Sequence, residues 1–208
     1  MKKLIRGILQ FRETRRTALA DTFAKLALGQ KPDALFIACS DSRMAVNVFA
    51  SSDPGDLFVL RNIGNLIPPY GHPGGTSTAT AVDYAVDTLS VRDVIVCGHS
   101  NCGAIAALCQ GVNSLPASPL KTWLKIAAHH EPAGCDPADA SRRNVLLQIE
   151  HLKEYPSVWR AMAARGLRLH GMWFDIANLD VQYYEESARK WTVLDGADGE
   201  RILASLAR

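Results

Sequence analysis

The sequence predicts an α/β fold with a mostly parallel central sheet flanked by helices, preceded by an N-terminal helical arm. Three observations carry this. From about residue 33 onward, short apolar runs of strand length alternate with helical patterns, the order of elements that builds a parallel sheet covered on both faces. The runs "ALFIAC" and "DVIVCGH" are apolar almost throughout, as strands buried on both faces are. Ahead of them, apolar residues recur at helical spacing.

In chain order, Leu4, Ile5, Ile8 and Leu9, then Leu19, Phe23 and Leu26, mark amphipathic helices in an arm spanning residues 1–30. "ALFIAC" is the first strand and "DLFVLRN" the second. The Pro- and Gly-rich "NLIPPYGHPGG" must be a loop, and "TATAVDYAVDTL" reads as a helix. "DVIVCGH" is a further buried strand leading into the helix "NCGAIAALC". From about Pro116 to Met162 the pattern is helical, with turn signals at "EPAGCDPADAS" and "YPS". "LRLHGMWFDI", "DVQYYEE" and "WTVLD" read as strands, the first two as a hairpin around Asn178.

Composition bounds the rest. With 208 residues, 48% hydrophobic and 21% charged, the chain has material for one well-filled core, so a single domain over residues 1–208 is expected. No apolar run approaches the roughly 20 residues that cross a bilayer. "MKKLIRGILQF" is broken by Arg6 and lacks a small-residue cleavage site, so the expected location is the cytoplasm, without membrane attachment. Cys39, Cys97, Cys102, Cys109 and Cys135 are odd in number, and in such a compartment thiols signal metal binding or catalysis rather than a disulfide framework. Six basic residues precede Thr17 against Glu13 alone, so a chain of net charge +2 leaves about three net negative charges on the remainder. This basic arm reads as the solvated face of amphipathic helices rather than a nucleic-acid contact.

The polar residues sit where open parallel sheets bind ligands, just beyond the carboxyl ends of strands. "CSDSR" delivers Cys39, Asp41 and Arg43 from one strand end, and "GHSNCG" delivers His99 and Cys102 from another. Two thiols and an imidazole suit Zn²⁺ with a fourth position left for water or substrate. The start of the following helix would favour a Cys102 thiolate. Cys97 stands two residues from His99 and is also a possible ligand at this stage. Other chemistries lose their support. Six positions after Cys39, where a cysteine phosphatase places its arginine, the chain has Ala45. "GHSNCG" lacks the second glycine of a nucleophile elbow, and "GHPGGTS" lacks the lysine of a P-loop.

"CSDSR" at Cys39–Arg43, "FVLRNIGNLIPP" at Phe58–Pro69 and "GHSNCGAI" at Gly98–Ile105 together resemble the β-class carbonic anhydrases, with "GQKP" and "LHGMWFDI" extending the likeness over nearly the whole chain. The resemblance implies a β-carbonic-anhydrase-like fold and the reversible hydration of CO₂ to bicarbonate and a proton by zinc-bound hydroxide. It selects Cys39, His99 and Cys102 as Zn²⁺ ligands and returns Cys97, Cys109 and Cys135 to packing or surface thiols. It also implies an Asp41–Arg43 dyad at the metal, with Asp41 orienting the hydroxide and Arg43 holding Asp41 ionised. Gln30 resembles an amide donor to a substrate oxygen, and Phe58, Ile63 and Tyr84 resemble the pocket's apolar walls. The implied assembly is a homodimer or a higher oligomer such as a tetramer, with N-terminal helices reaching across the partner.

Further expectations follow. Two thiolates neutralise the charge of zinc, so its water should be less acidic than the roughly pKa 7 of a three-histidine site, and activity should rise with pH above neutrality. Some members of the class bind inhibitory bicarbonate through a tryptophan three residues before the first zinc cysteine and a tyrosine on a late strand. Phe36 and Phe174 stand at those positions here, so that anion site is not expected. His72, His129, His130, His151 and His170 read as surface or packing residues, and no proton shuttle stands out. The rivals are a CS₂ or COS hydrolase on the same scaffold, and a structural zinc closed by Asp41.

Overall fold

The computed structural model describes residues 1–126 and 134–206. Its centre is a six-stranded sheet: β1 (Ala34–Cys39), β2 (Leu57–Asn62), β3 (Asp93–His99), β4 (Arg168–Asp175), β5 (Asp180–Glu185) and β6 (Lys190–Val193), in the order β2-β1-β3-β4-β5-β6. The first four in that order run parallel, and β5 and β6 close one side as antiparallel strands. All six residues of β1 are buried, and β3 is buried from Val94 onward. Their unbroken apolar runs therefore mark them as central strands. Edge strand β2 alternates half-buried and exposed positions instead.

Nine helices are described: α1 (Lys2–Thr14), α2 (Arg16–Leu26), α3 (Val46–Phe49), α4 (Thr76–Asp83), α5 (Gly103–Cys109), α6 (Pro119–Leu124), α7 (Pro137–Lys153), α8 (Pro156–Arg165) and α9 (Gly196–Leu206). Successive side chains of a strand point to opposite faces, and the two apolar cores follow that alternation. Phe36, Ala38, Ile95, Cys97 and Phe174 pack with Ile105 and Leu108 of α5. Leu35, Ile37, Val94 and Val96 pack with Val82 of α4, Val145 and Leu152 of α7, and Val158 of α8. By contrast, α1 and α2 bury no residue within the chain.

The strand expectations hold to within two residues at each end. The turn between β4 and β5 falls around Asn178, as the pattern predicts. The helix expected over "TATAVDYAVDTL" starts earlier, at Thr76, and widens into a π turn over Tyr84–Thr88. Part of the turn signal "EPAGCDPADAS" belongs to α7: Pro137 is tolerated in a first helical turn, and the Asp136 side chain accepts the N–H groups of Ala138 and Asp139. Residues 127–133, including His129 and His130, lie outside the described residues. Neither α3 nor α9 is foreseen from the sequence. The cysteine expectation is corrected too. Cys109 and Cys135 form a disulfide, with their Cα atoms 5.1 Å apart. They are neither packing nor surface thiols, because the chain after α6 returns to the end of α5, where the N–H of Gly134 donates to the Cys109 carbonyl at 2.7 Å.

Candidate metal centre

Cys39 ends β1 and His99 ends β3, and the parallel register, which pairs Ala38 with Cys97, brings both to one edge of the sheet. Beyond His99 the chain turns through Asn101, in the left-handed region at φ 55°, and Cys102 caps α5. Gly98, just before His99, lets α7 pack close on β3: a Cβ there would stand 2.8 Å from Val145 Cγ2. The Cys39 and Cys102 sulfurs are 4.0 Å apart. With a His99 ring nitrogen they form a group whose ligand atoms all lie within 4.8 Å of one another, and all three residues are buried. Cys97 is not in this group.

The donor chemistry fits a metal ion. His99 Nδ1 lies 2.9 Å from the Ser100 carbonyl, which can only accept, so Nδ1 carries the hydrogen and Nε2 presents a lone pair. That Nε2 is buried without a partner. An orphaned imidazole acceptor beside two thiols is costly by itself and is what a tetrahedral, sulfur- and nitrogen-liking ion satisfies. Before metal binding the two thiols share protons unequally. The Cys102 thiol, with the N–H groups of Asp41 and Gly64, favours a Cys39 thiolate over the opposing effect of burial. The Gly64 N–H stands 3.4 Å from its sulfur. Cys102 is shifted the other way by its bond to Cys39 and by burial, although the N–H groups of Ile105 and Ala104 oppose this. The helix start does face Cys102 as the sequence predicts, but a neighbouring thiolate outweighs it.

Beside this group, Arg43 grips Asp41 in a two-pronged bond: Nε donates to Oδ1 at 2.9 Å and Nη2 to Oδ2 at 2.7 Å. The Arg43 N–H adds a third bond to Oδ1 at 3.0 Å. Together these hold the Asp41 carboxyl well below the usual carboxylate range. Arg43 also donates to the Asn101 carbonyl at 3.1 Å, tying the two strand ends together. A residue that sequence reasoning passes over does similar work. Arg61 of β2 donates to the carbonyls of Cys39 at 3.0 Å and Asp41 at 2.6 Å, fixing the backbone between them.

Of the expected pocket residues, only Ile63 is brought to this edge. It opens a 3₁₀ turn, Ile63–Asn65, directly after Asn62, the register partner of Cys39. Phe58 pairs with Leu35, near the opposite end of β1, and the Tyr84 ring lies 5.8 Å from the Phe58 ring. Gln30 is exposed and precedes β1, a strand that extends about 17 Å from Ala34 to Cys39. Gln30, Phe58 and Tyr84 therefore stand away from the cysteines within one chain. Phe36 and Phe174 are both buried, with Phe49 of α3 between them; its ring stacks on Phe174 at 4.5 Å and meets Phe36 edge-on at 6.2 Å. Among the other histidines, His72 accepts the Gly74 N–H, His151 meets the Ile67 carbonyl, and His170 bridges Tyr183 and Asp93.

A buried Cys–His–Cys trio at the ends of two adjacent parallel strands, flanked by an aspartate locked to an arginine, presents the donor set of a metal site on an α/β sheet. The family model described as "Carbonic anhydrase" matches residues 34–181. The "Carbonic anhydrase" of Pseudomonas aeruginosa is 39% identical over 206 residues, covering 93% of this chain and 92% of its own. Among solved structures, the beta-carbonic anhydrase CcaA is similar with a TM-score of 0.83 and 35% identity, over 93% of this chain and 98% of that one. One of two tetrameric beta-carbonic anhydrases from Sordaria macrospora matches with a TM-score of 0.75 and 30% identity, over 88% and 95%. The chain belongs to the carbonic anhydrase family, in its β class.

Proposed function

We propose that the chain is a zinc-dependent carbonic anhydrase: Cys39, His99 and Cys102 hold Zn²⁺, and the site interconverts CO₂ and bicarbonate with release or uptake of a proton. One observation carries this most directly. The trio offers three donors, and no further Cys, His or carboxylate among the described residues joins it, so a fourth position is left for water or substrate rather than closed as in a structural site. Bound Zn²⁺ supplies a Lewis acid that makes hydroxide available from water. Asp41, kept ionised by Arg43, accepts a hydrogen bond from the attacking oxygen and turns its lone pair toward the carbon of CO₂. Ile63 offers an apolar wall to a substrate that carries no charge.

A second copy of the chain completes this proposal. The apolar stripe of α1, Leu4, Ile5, Ile8 and Leu9, is exposed along its length, which a helix tolerates when another subunit covers it. Gln30, Phe58 and Tyr84 then reach a metal site only from the neighbouring chain. No helix among the described residues is long and apolar enough to cross a membrane. The cytoplasmic location stays a proposal from composition, and the Cys109–Cys135 bond weighs against it, because disulfides persist in oxidising compartments.

Stopped-flow CO₂ hydration on zinc-loaded protein between about pH 6.5 and 9 tests the function, with Cys39→Ser as control. The expected result is a rate that rises with pH and vanishes with the metal in the control. Zinc retained at pH 8.5 without any turnover would overturn it.

A further inference from the structure

The face that α7 turns toward the site is polar where a helix packed on a sheet is ordinarily apolar. Ser141, Asn144, Gln148 and His151, spaced at three and four residues, form one buried stripe, and Tyr155 extends it past the helix end. Burying such a row costs stability unless every group finds a partner. Here most partners are backbone groups of the end of β3 and of the loop after β2, which flank the metal centre. Ser141 Oγ donates to the His99 carbonyl at 3.0 Å and accepts the Trp173 indole N–H at 3.1 Å. Asn144 Nδ2 donates to the Gly64 carbonyl at 3.1 Å and is itself held by Gln148, which also accepts the Ile67 N–H at 2.6 Å. Farther along, His151 meets the Ile67 carbonyl and the Tyr155 hydroxyl donates to the Pro68 carbonyl at 2.8 Å.

One more bond completes the pattern. The half-buried Trp123 of α6 donates its indole N–H to the Ile63 carbonyl at 2.7 Å. That carbonyl belongs to the same planar peptide as the Gly64 N–H that points at the Cys39 sulfur. Gly64 sits at φ 78°, so its orientation is not fixed by a side chain of its own. Trp123 holds the peptide before it and Asn144 the peptide after it.

We propose that Trp123, Asn144 and Ser141 are positioning residues for the metal centre, the first two aiming the Gly64 N–H at the Cys39 thiolate and the third fixing the peptide that follows His99. Rungs farther from the donors, such as Tyr155, hold the loop without setting the donor geometry. This rests on the reading of Cys39, His99 and Cys102 as metal ligands. Partners that orient metal ligands change metal affinity by about 10–100-fold when removed, whereas a bond that only supports the fold changes stability alone.

The test uses the full chain loaded with Co²⁺, reading the thiolate-to-cobalt charge-transfer band and the Zn²⁺ affinity against a competing chelator, with thermal unfolding alongside. Trp123→Phe and Asn144→Ala should each weaken Zn²⁺ binding about tenfold or more and alter the band. Tyr155→Phe should lower the melting temperature yet leave both metal readouts within about twofold of wild type, below that range. Should Asn144→Ala fail to fold, Trp123→Phe decides, since it removes one N–H and keeps an aromatic ring. Unchanged metal readouts in Trp123→Phe, or an equal change in Tyr155→Phe, would overturn the positioning role. Wild-type protein that binds Co²⁺ without a thiolate band would instead sink the ligand assignment beneath it.

Discussion

Asp41 stands at a site where an ionised carboxylate must persist beside two thiols, and Arg43 is the reason it does. The two-pronged grip and the Arg43 N–H together occupy both oxygens from one side, leaving lone pairs for a hydrogen from a reacting oxygen. Asp41→Asn keeps the size but offers Arg43 an amide, in which an NH₂ donor replaces one accepting oxygen. We expect CO₂ hydration to fall by about 10²-fold or more while metal content, measured by atomic absorption, stays at the wild-type level. Loss of metal in step with activity would make Asp41 a ligand instead. At Phe36 and Phe174, the Phe49 ring stands between the two, stacked on Phe174 and edge-on to Phe36.

Among the elements, the stretch from α5 to α7 carries constraints that its length does not advertise. The Cys109–Cys135 bond closes 26 residues of chain that include α6, and α6 holds the Ile63 carbonyl through Trp123. A cross-link of that span stabilises chiefly by restricting the unfolded chain, by about 3 kcal/mol. Urea unfolding with and without tris(2-carboxyethyl)phosphine should differ by that amount, and the Cys109→Ser/Cys135→Ser variant should match the reduced protein. Equal midpoints would show that the bond does not constrain the chain. At the other end, α9 is pinned by Arg201, which with Thr192 holds the Glu185 carboxyl down at about 2. Because the folded value lies below the unfolded one of roughly 4.3, this contribution is complete above that pH and is lost as pH falls through about 2. The melting-temperature gap between wild type and Glu185→Gln should therefore be constant from pH 7 to 5 and close toward pH 2. A gap that widens on acidification would contradict the assignment.

For the molecule as a whole, the carboxyl ends of the parallel strands gather the chemistry while the arm exposes an apolar stripe. Four parallel neighbours place their carboxyl ends together, so loops distant in sequence meet at one place. Among the described residues, the arm's apolar stripe stays exposed and α1 buries no side chain. Size-exclusion chromatography with light scattering should show a dimer or larger species, and Ile8→Glu with Leu9→Glu should shift it toward smaller ones with reduced activity. An unchanged elution in that variant would remove α1 from the interface.

The sequence by itself determined the central strands β1 and β3, because strands buried on both faces must be apolar throughout, and that pattern survives any detail of packing. It likewise pointed to the donor residues, since thiols, an imidazole and a carboxylate–guanidinium pair just past strand ends have little use in a core, although Cys97 stayed open until the family resemblance set it aside. Other features were decided only by tertiary structure. Whether Cys109 meets Cys135, which thiol keeps its proton, which of Gln30, Phe58, Ile63 and Tyr84 lie near the donors, and where the polar stripe of α7 finds its partners all depend on distances between segments far apart in the chain. Side-chain type and local spacing report what a residue can bond; only the fold sets what stands within reach of it.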